Sequence, residues 1–299
     1  MQSLCPRCKK DARHIFTARD FNRRVSDAQF HYSKCPDCRL IFLSNAPDDP
    51  DAYYGDSYYS PPAFEKLKKV ASAESYQLRM ITDHVRSGDL LEVGPGFGVF
   101  AYQAKSAGFT VDVIEKEQRC CDYLSGTVGV NAIHSASPQD VISCGKRYDV
   151  IALWHVIEHL PRPWDFLTKA AANLKRNGVL LVATPSPDAF QFEFQGARWP
   201  HVDAPRHTEL IPSELLIKHM AACGLELAMI TFDDKGARSW NRFGWQRYLM
   251  NLSRNKFIQQ CAFVIGYFAA LLMAFFDRRR GKGSAYTAVF RKVPGNEPR

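Results

Sequence analysis

Between residues 89 and 232 the chain alternates short, nearly continuous apolar runs with segments of helical length, and this alternation restricts the fold more than any other feature. DLLEVG (89–94), TVDVIE (110–115), VNAIH (130–134), YDVIALW (148–154), GVLLVATP (178–185) and LELAMITF (225–232) read as strands. Segments 97–107, 117–124, 163–176 and 212–223 read as helices, as does 64–86 ahead of them. Strands that are apolar throughout, and not at every second position, are covered on both faces. The pattern therefore predicts an α/β fold with a parallel sheet between helices. SAYTAVFRKV (284–293) reads as a final antiparallel strand of the same sheet. Ligands of such sheets bind beyond the carboxyl ends of the strands.

The first strand runs into Glu92-Val93-Gly94-Pro95-Gly96-Phe97-Gly98 before a helix begins. Glycines there let the backbone pass close to a ligand, and the helix start offers unpaired N–H groups to an anion. The spacing is G-x-G-x-G, not the G-x-G-x-x-G of dinucleotide sites, and Glu92 stands beside the loop. A carboxylate there repels a pyrophosphate and attracts an ammonium group. Glu115 closes the second strand, where a carboxylate can accept both hydroxyls of a ribose. Each acid alone reads equally well as a solvated loop charge. Together, at consecutive strand ends, they favour a nucleoside that carries an amino acid.

LLEVGPGFGVF, GFTVDVIEKE, YDVIALWHVIEHLPRPWDFL and LKRNGVLLVATPSP resemble, in that order, the successive motifs of class I S-adenosylmethionine-dependent methyltransferases. The resemblance implies a Rossmann-like seven-stranded sheet with S-adenosyl-L-methionine as cofactor. It implies that Gly94, Pro95, Gly96 and Gly98 flank the methionine part, that Glu92 lies near its ammonium and that Glu115 holds the ribose. A family residue near the adenine amine would fall around Ala136 to Ser137, where no acid stands. The opening CPRC…KCPDCRLIFLSNAP…YY is similar to the zinc ribbon that precedes many bacterial members of unassigned substrate.

Methyl transfer from a sulfonium is an in-line displacement, so the protein aligns donor and acceptor and, for an oxygen acceptor, removes a proton. The fourth strand ends in Trp154-His155-Val156-Ile157-Glu158-His159. Trp154 offers the cofactor an apolar wall, and His155 has a suitable ordinary pKa for a general base. His155, Glu158 and His159 share a face if the stretch turns helically. Some O-methyltransferases of the superfamily hold a divalent ion with E-x-x-E-H; here His155 replaces the first Glu, and His207 could add a ligand. The alternative is that Glu158 and His159 organise the loop by hydrogen bonds. The catalytic candidates are His155, Glu158, His159 and His207, with or without a divalent cation. Pro161 and Pro163 end the turn too early for a zinc-peptidase helix. In segment 192–212, Trp199, His201, Arg206 and His207 read either as an acceptor-binding set or as part of an ordinary long loop.

Cys5, Cys8, Cys35 and Cys38 form C-x2-C-x26-C-x2-C, the ligand set of a structural zinc ion in a small ribbon over residues 1–45. Rubredoxin-type iron uses similar ligands. Cys120, Cys121, Cys144, Cys223 and Cys261 show no pairing pattern and read as packing residues. Charge at the amino terminus, where an export signal would be apolar, suggests an unexported chain. The Pro-, Asp- and Tyr-rich stretch 45–62 reads as a boundary, giving a linker and leading helix over 46–87 and a cofactor-binding core over 88–235.

The net charge of +8 is segregated. Residues 1–40 hold nine basic and four acidic side chains, 41–235 hold eighteen and twenty-five, and 236–299 hold twelve and two. The basic end surrounds an apolar insertion, 236–283, in which Phe257 to Phe276 carries no charge. Arg254 and Lys256 precede that run; Asp277, Arg278, Arg279, Arg280 and Lys282 follow it. Because 284–293 returns to the sheet, the insertion reads as a re-entrant or interfacial helix pair with WNRFGWQRYLMNL (240–252), against the alternatives of a core helix or a dimer interface.

These features point to a methyltransferase at the inner face of the cytoplasmic membrane, acting at oxygen on a lipid, lipid-linked, glycan or other small-molecule acceptor. Two other classes remain: an RNA methyltransferase using the ribbon and basic ends, and a non-enzymatic ribbon scaffold with a vestigial cofactor fold. A uniformly basic nucleic-acid binder and a disordered chain are excluded by the acidic middle and by a composition that is 46% hydrophobic.

Overall fold

A computed structural model describes residues 3–54, 60–142 and 145–293, so Cys144 lies outside the described residues. In chain order the strands are β1 (Ser3–Leu4), β2 (Asp11–Ala18), β3 (Phe30–Lys34), β4 (Ile41–Leu43), β5 (Asp89–Val93), β6 (Thr110–Glu115), β7 (Asn131–His134), β8 (Tyr148–Trp154), β9 (Leu174–Pro185), β10 (Glu209–Leu210), β11 (Leu225–Thr231) and β12 (Ala285–Lys292). The helices are α1 (Phe64–Ala73), α2 (Tyr76–Thr82), α3 (Val99–Ser106), α4 (Gln118–Tyr123), α5 (Pro138–Val141), α6 (Pro163–Asn173), α7 (Phe190–Gln195), α8 (Ser213–Ala222), α9 (Lys235–Asn251) and α10 (Lys256–Asp277). They fall into two compact units. Of the described residues, one gathers 3–54, 184–216 and 231–287; the other gathers 60–142, 145–183, 217–230 and 288–293.

The second unit is built on a mixed seven-stranded sheet in the order β11-β12-β9-β8-β5-β6-β7. Its central strands are parallel, with Leu90 opposite both Val111 and Val150. Val93 likewise faces Ile114 and Leu153, so β5, β6 and β8 end side by side. Leu90, Val113, Val150 and Leu181 meet Phe100, Leu67 and Ile81 from the helices in one buried core. The expected sheet is therefore present, for the expected reason: strands without a polar face must be covered twice.

Two boundaries differ from expectation. The helix anticipated over 64–86 breaks between α1 and α2 although no Gly or Pro stands there. The buried Gln103 side chain of α3 donates to the Ala71 carbonyl at 2.9 Å, taking the acceptor that a continuous helix would offer to Ser75. The helix over 163–176 ends at Asn173 because Leu174 is already extended and pairs with Tyr148. A bulge follows, with Asn177 at φ 62°, before Val179 resumes the register opposite Val150.

The first unit carries a five-stranded sheet in the order β1-β2-β3-β4-β10. Its last strand comes from far along the chain: Glu209 and Leu210 pair with Phe42 and Ile41. Phe30, Tyr32 and Ile41 share a core with Trp199, Val202 and Leu210. Arg206 is buried against Asp20 at 2.7 Å and Asp203 at 2.8 Å, and it also donates to the Tyr53 carbonyl at 3.0 Å. Of the residues in 192–212 that read either as an acceptor-binding set or as an ordinary loop, Trp199 and Arg206 tie the segment to the amino-terminal strands, and His201 Nε2 lies 3.1 Å from the Trp240 carbonyl oxygen.

Helices α9 and α10 pack as a hairpin, each started by a side-chain cap. Asp234 accepts from the Ala237 N–H, and Asn255 from those of Phe257 and Ile258. Approach is close at Gly266, where a β-carbon would come within 2.5 Å of Gln246 Cα. By length and composition α10 is able to cross a membrane, and only 11% of its most apolar stretch is buried. It is not a core helix of this chain.

Candidate cofactor and catalytic site

The aligned ends of β5, β6 and β8 bring the sequence candidates of the second unit together. The loop after β5 turns through three left-handed glycines, Gly94 at φ 63°, Gly96 at φ 55° and Gly98 at φ 78°. Their surroundings differ. A β-carbon at Gly94 would lie 2.6 Å from Val156 Cγ2 and one at Gly98 2.5 Å from Leu124 Cδ2, whereas one at Gly96 meets nothing within 4 Å. Gly94 and Gly98 are required by packing, while Gly96 faces open space.

Glu115 is tied to this loop. Its Oε2 accepts from the Gly96 N–H at 3.1 Å, and its Oε1 accepts from the N–H groups of Lys116 at 2.8 Å and Glu117 at 3.0 Å. Glu92 is buried at the end of β5, and its Oε2 has no hydrogen-bond partner among the described residues. Burial, opposed by a bond from the Ala101 backbone and reinforced by the charge of Glu115, pushes its pKa up to about 8. A cation beside it would restore the ionised form. A buried acid with one unpartnered oxygen, a carboxylate at the next strand end and an open glycine fit an aminoacyl nucleoside such as S-adenosylmethionine. On the adenine side, the Ser137 N–H donates to Ser135 Oγ at 3.1 Å around Ala136, and no carboxylate stands at the expected position.

At the end of β8, Trp154 is edge-on to Phe100 and Tyr76 with centroids 5.6 and 6.3 Å away, and its buried Nε1 lacks a partner among the described residues. His155 takes φ 57°, a costly conformation for a non-glycine residue, while its N–H bonds the Ala183 carbonyl at 2.9 Å. The helical turn that would set His155, Glu158 and His159 on one face is therefore not formed: only Ile157–His159 turns, as one 3-10 turn. His155 Nδ1 nevertheless lies 3.7 Å from Glu158 Oε1, and the Glu158 side chain is buried. His159 caps the turn through its N–H to the Val156 carbonyl at 2.9 Å. His207 belongs to the first unit, where its Nδ1 lies 2.7 Å from the His201 carbonyl oxygen.

Residues 66–229, more than half of the chain, match the family described as methyltransferase domain. The chain belongs to that family. Among curated proteins it is similar to ubiquinone biosynthesis O-methyltransferases, at 27% identity over 115 residues for that of Rickettsia canadensis (36% of this chain and 49% of the relative). The Bordetella avium protein is 25% identical over 175 residues, 54% of this chain and 72% of the relative. The chain thus spans about half the length of the Rickettsia relative. Among solved structures, a SAM-dependent methyltransferase from Archaeoglobus fulgidus superposes with a TM-score of 0.51 at 15% identity, covering 76% of this chain and 97% of that one. A Galdieria sulphuraria protein assigned as a sarcosine dimethylglycine methyltransferase gives 0.52 at 16%, covering 75% and 86%. These likenesses show the methyltransferase fold.

Within that domain Tyr123 stands beside the glycine loop. Its hydroxyl is buried without a partner among the described residues, and its ring is edge-on to Phe97 of the glycine loop at 6.4 Å. An aromatic on a short amphipathic helix gives no signal that would single it out.

The methyltransferase domain is accompanied by a four-cysteine cluster in the first unit. The sulfurs of Cys5, Cys8, Cys35 and Cys38 all lie within 4.8 Å of one another, with Cys5–Cys38 at 3.6 Å and Cys8–Cys35 at 3.4 Å. A tetrahedral ion with Zn–S bonds of about 2.3 Å needs sulfurs about 3.8 Å apart. The two knuckles repeat one backbone design. The Cys5 and Cys35 N–H groups bond the carbonyls of Lys10 and Leu40, the Lys9 and Arg39 N–H groups return to Cys5 and Cys35, and Lys9 and Arg39 both take a left-handed φ. The donor set and spacing suit zinc.

Proposed function

We propose that this protein is an S-adenosylmethionine-dependent O-methyltransferase acting on a lipid or lipid-linked acceptor at the inner face of the cytoplasmic membrane, with a structural zinc in its cysteine cluster. The observation that carries the enzymatic part is the pair of strand-end carboxylates, Glu92 with one buried oxygen, Oε2, left without a partner among the described residues and Glu115 bonded to the open Gly96. Bound there, S-adenosylmethionine supplies an electrophilic methyl group. Glu92 would hold its ammonium and Glu115 its ribose hydroxyls, the backbone of Gly94 to Gly98 would flank its methionine part, and Trp154 would offer an apolar wall. An oxygen acceptor is supported by the names of the ubiquinone biosynthesis O-methyltransferases that the chain resembles. In this reading His155 accepts the hydroxyl proton at Nε2 while Glu158, facing Nδ1, favours the resulting imidazolium. His207 enters as an acceptor-side residue from its sequence position alone.

The test is incubation of the purified chain with labelled S-adenosylmethionine and bacterial lipid extract, followed by mass spectrometry for products heavier by one methylene. His155→Ala is expected to lower turnover roughly 10²- to 10⁴-fold, the range for loss of a general base, with cofactor affinity unchanged. Full turnover without His155 would remove it from the mechanism.

A further inference from the structure

Five cationic side chains gather where α9 turns into α10, and two of them, Arg23 and Arg24, come from the loop between β2 and β3. Arg24 Nη2 donates to the carbonyls of Asn251 and Ser253 at 2.8 and 3.3 Å, and Arg247 donates to the Asn22 carbonyl. Burial and the nearby charges of Arg24 and Arg23 push the Arg247 pKa down, against the opposing pull of Asp203 and Asp20. The neighbouring acids Asp20 and Asp203 are held by Arg206. Arg254 and Lys256 are exposed on the turn, with Asp27 at 3.8 Å from Arg254.

From this basic end α10 presents one large apolar face. Phe257, Val264, Phe268, Leu272 and Phe275 share a side at 3.6 residues per turn, and Leu272 is 80% exposed. The opposite side, with Ala262, Gly266 and Asp277, is buried, and Asp277 accepts from Trp245 Nε1 at 2.8 Å. At the far end the charge is again basic: Arg279 lies over the rings of Phe275 and Phe276 at 5.0 and 5.1 Å, and Arg278 pairs with Asp233. A second copy of the chain is a poor occupant of this face, because either orientation of two α10 helices sets basic ends against basic ends. A spanning α10 is also disfavoured, because α9 packs along it and carries Arg242 and Arg247.

We propose that the apolar face of α10 lies in the plane of an anionic phospholipid bilayer, and that Arg23 and Arg24 from the ribbon, with Arg247, Arg254 and Lys256, hold headgroup phosphates at its amino-terminal end. This deepens the membrane part of the function above and is independent of its methyl-transfer part. It gives the excess positive charge of the ribbon a partner.

The test is co-sedimentation of the full chain with vesicles of phosphatidylcholine alone or mixed with phosphatidylglycerol. The wild type should favour the anionic vesicles at least tenfold. Arg23→Gln, Arg254→Gln and Lys256→Gln should each reduce that preference by up to roughly fivefold, the equivalent of about 1 kcal/mol per charge at a lipid surface. Leu272→Ser with Phe268→Ser should abolish binding to both vesicles while leaving S-adenosylhomocysteine binding intact, which separates failure to dock from failure to fold. Spin labels at Phe257→Cys, Val264→Cys and Leu272→Cys should report one shallow depth. Equal binding to neutral and anionic vesicles, a graded depth along the helix, or a dimer that Leu272→Ser dissociates without any vesicle binding would each overturn the proposal.

Discussion

Glu92 shows how much one carboxyl can report. Its ordinary pKa is 4.5, and burial in the folded chain pushes it up to about 8. Between those values the unfolded chain has released a proton that the folded chain keeps, so the unliganded protein should lose stability as pH rises through that window and level off above it. Glu92→Gln should flatten this part of a melting-temperature profile; an unchanged slope would show that Glu92 is not its source. The three loop glycines separate in the same way. Gly94→Ala and Gly98→Ala collide with Val156 and Leu124 and should lower the melting point, whereas Gly96→Ala should spare packing apart from about 1 kcal/mol for its left-handed φ and weaken cofactor binding instead. Residue types and strand-end positions of these groups were legible in the sequence. The left-handed backbone of His155, which undoes the helical face expected of 155–159, was not, because it is imposed by the bond to Ala183 on the next strand.

Among elements, the strands of the parallel sheet could be read directly, since continuous apolar runs have few other uses. The break between α1 and α2 could not, because a side chain thirty-two residues from Ala71 creates it. Nor could the union of β10 with β4, which turns the segment 192–212 from a free loop into part of the ribbon's own core. Two outcomes follow. Arg206→Ala leaves the buried Asp20 and the partly buried Asp203 without their cation and should destabilise the first unit by about 3–5 kcal/mol in denaturant titration. Cys38→Ser should eliminate stoichiometric zinc measured by elemental analysis and lower the melting point; zinc content equal to the wild type would assign the metal elsewhere.

Over the whole molecule, charge and apolarity are distributed by task. The acidic middle holds the two strand-end carboxylates, while the basic ends meet at the α9–α10 turn of the first unit. That meeting joins sequence regions more than two hundred residues apart and so was invisible in the one-dimensional charge pattern, although the apolar run itself was not. The central claim is that a methyltransferase domain with this glycine loop binds an aminoacyl nucleoside between Glu92 and Glu115. Isothermal titration of S-adenosylhomocysteine into the full chain tests it most directly. The account predicts one site per chain that is lost in Glu115→Ala; no heat of binding in the wild type, or equal affinity in the variant, would contradict it.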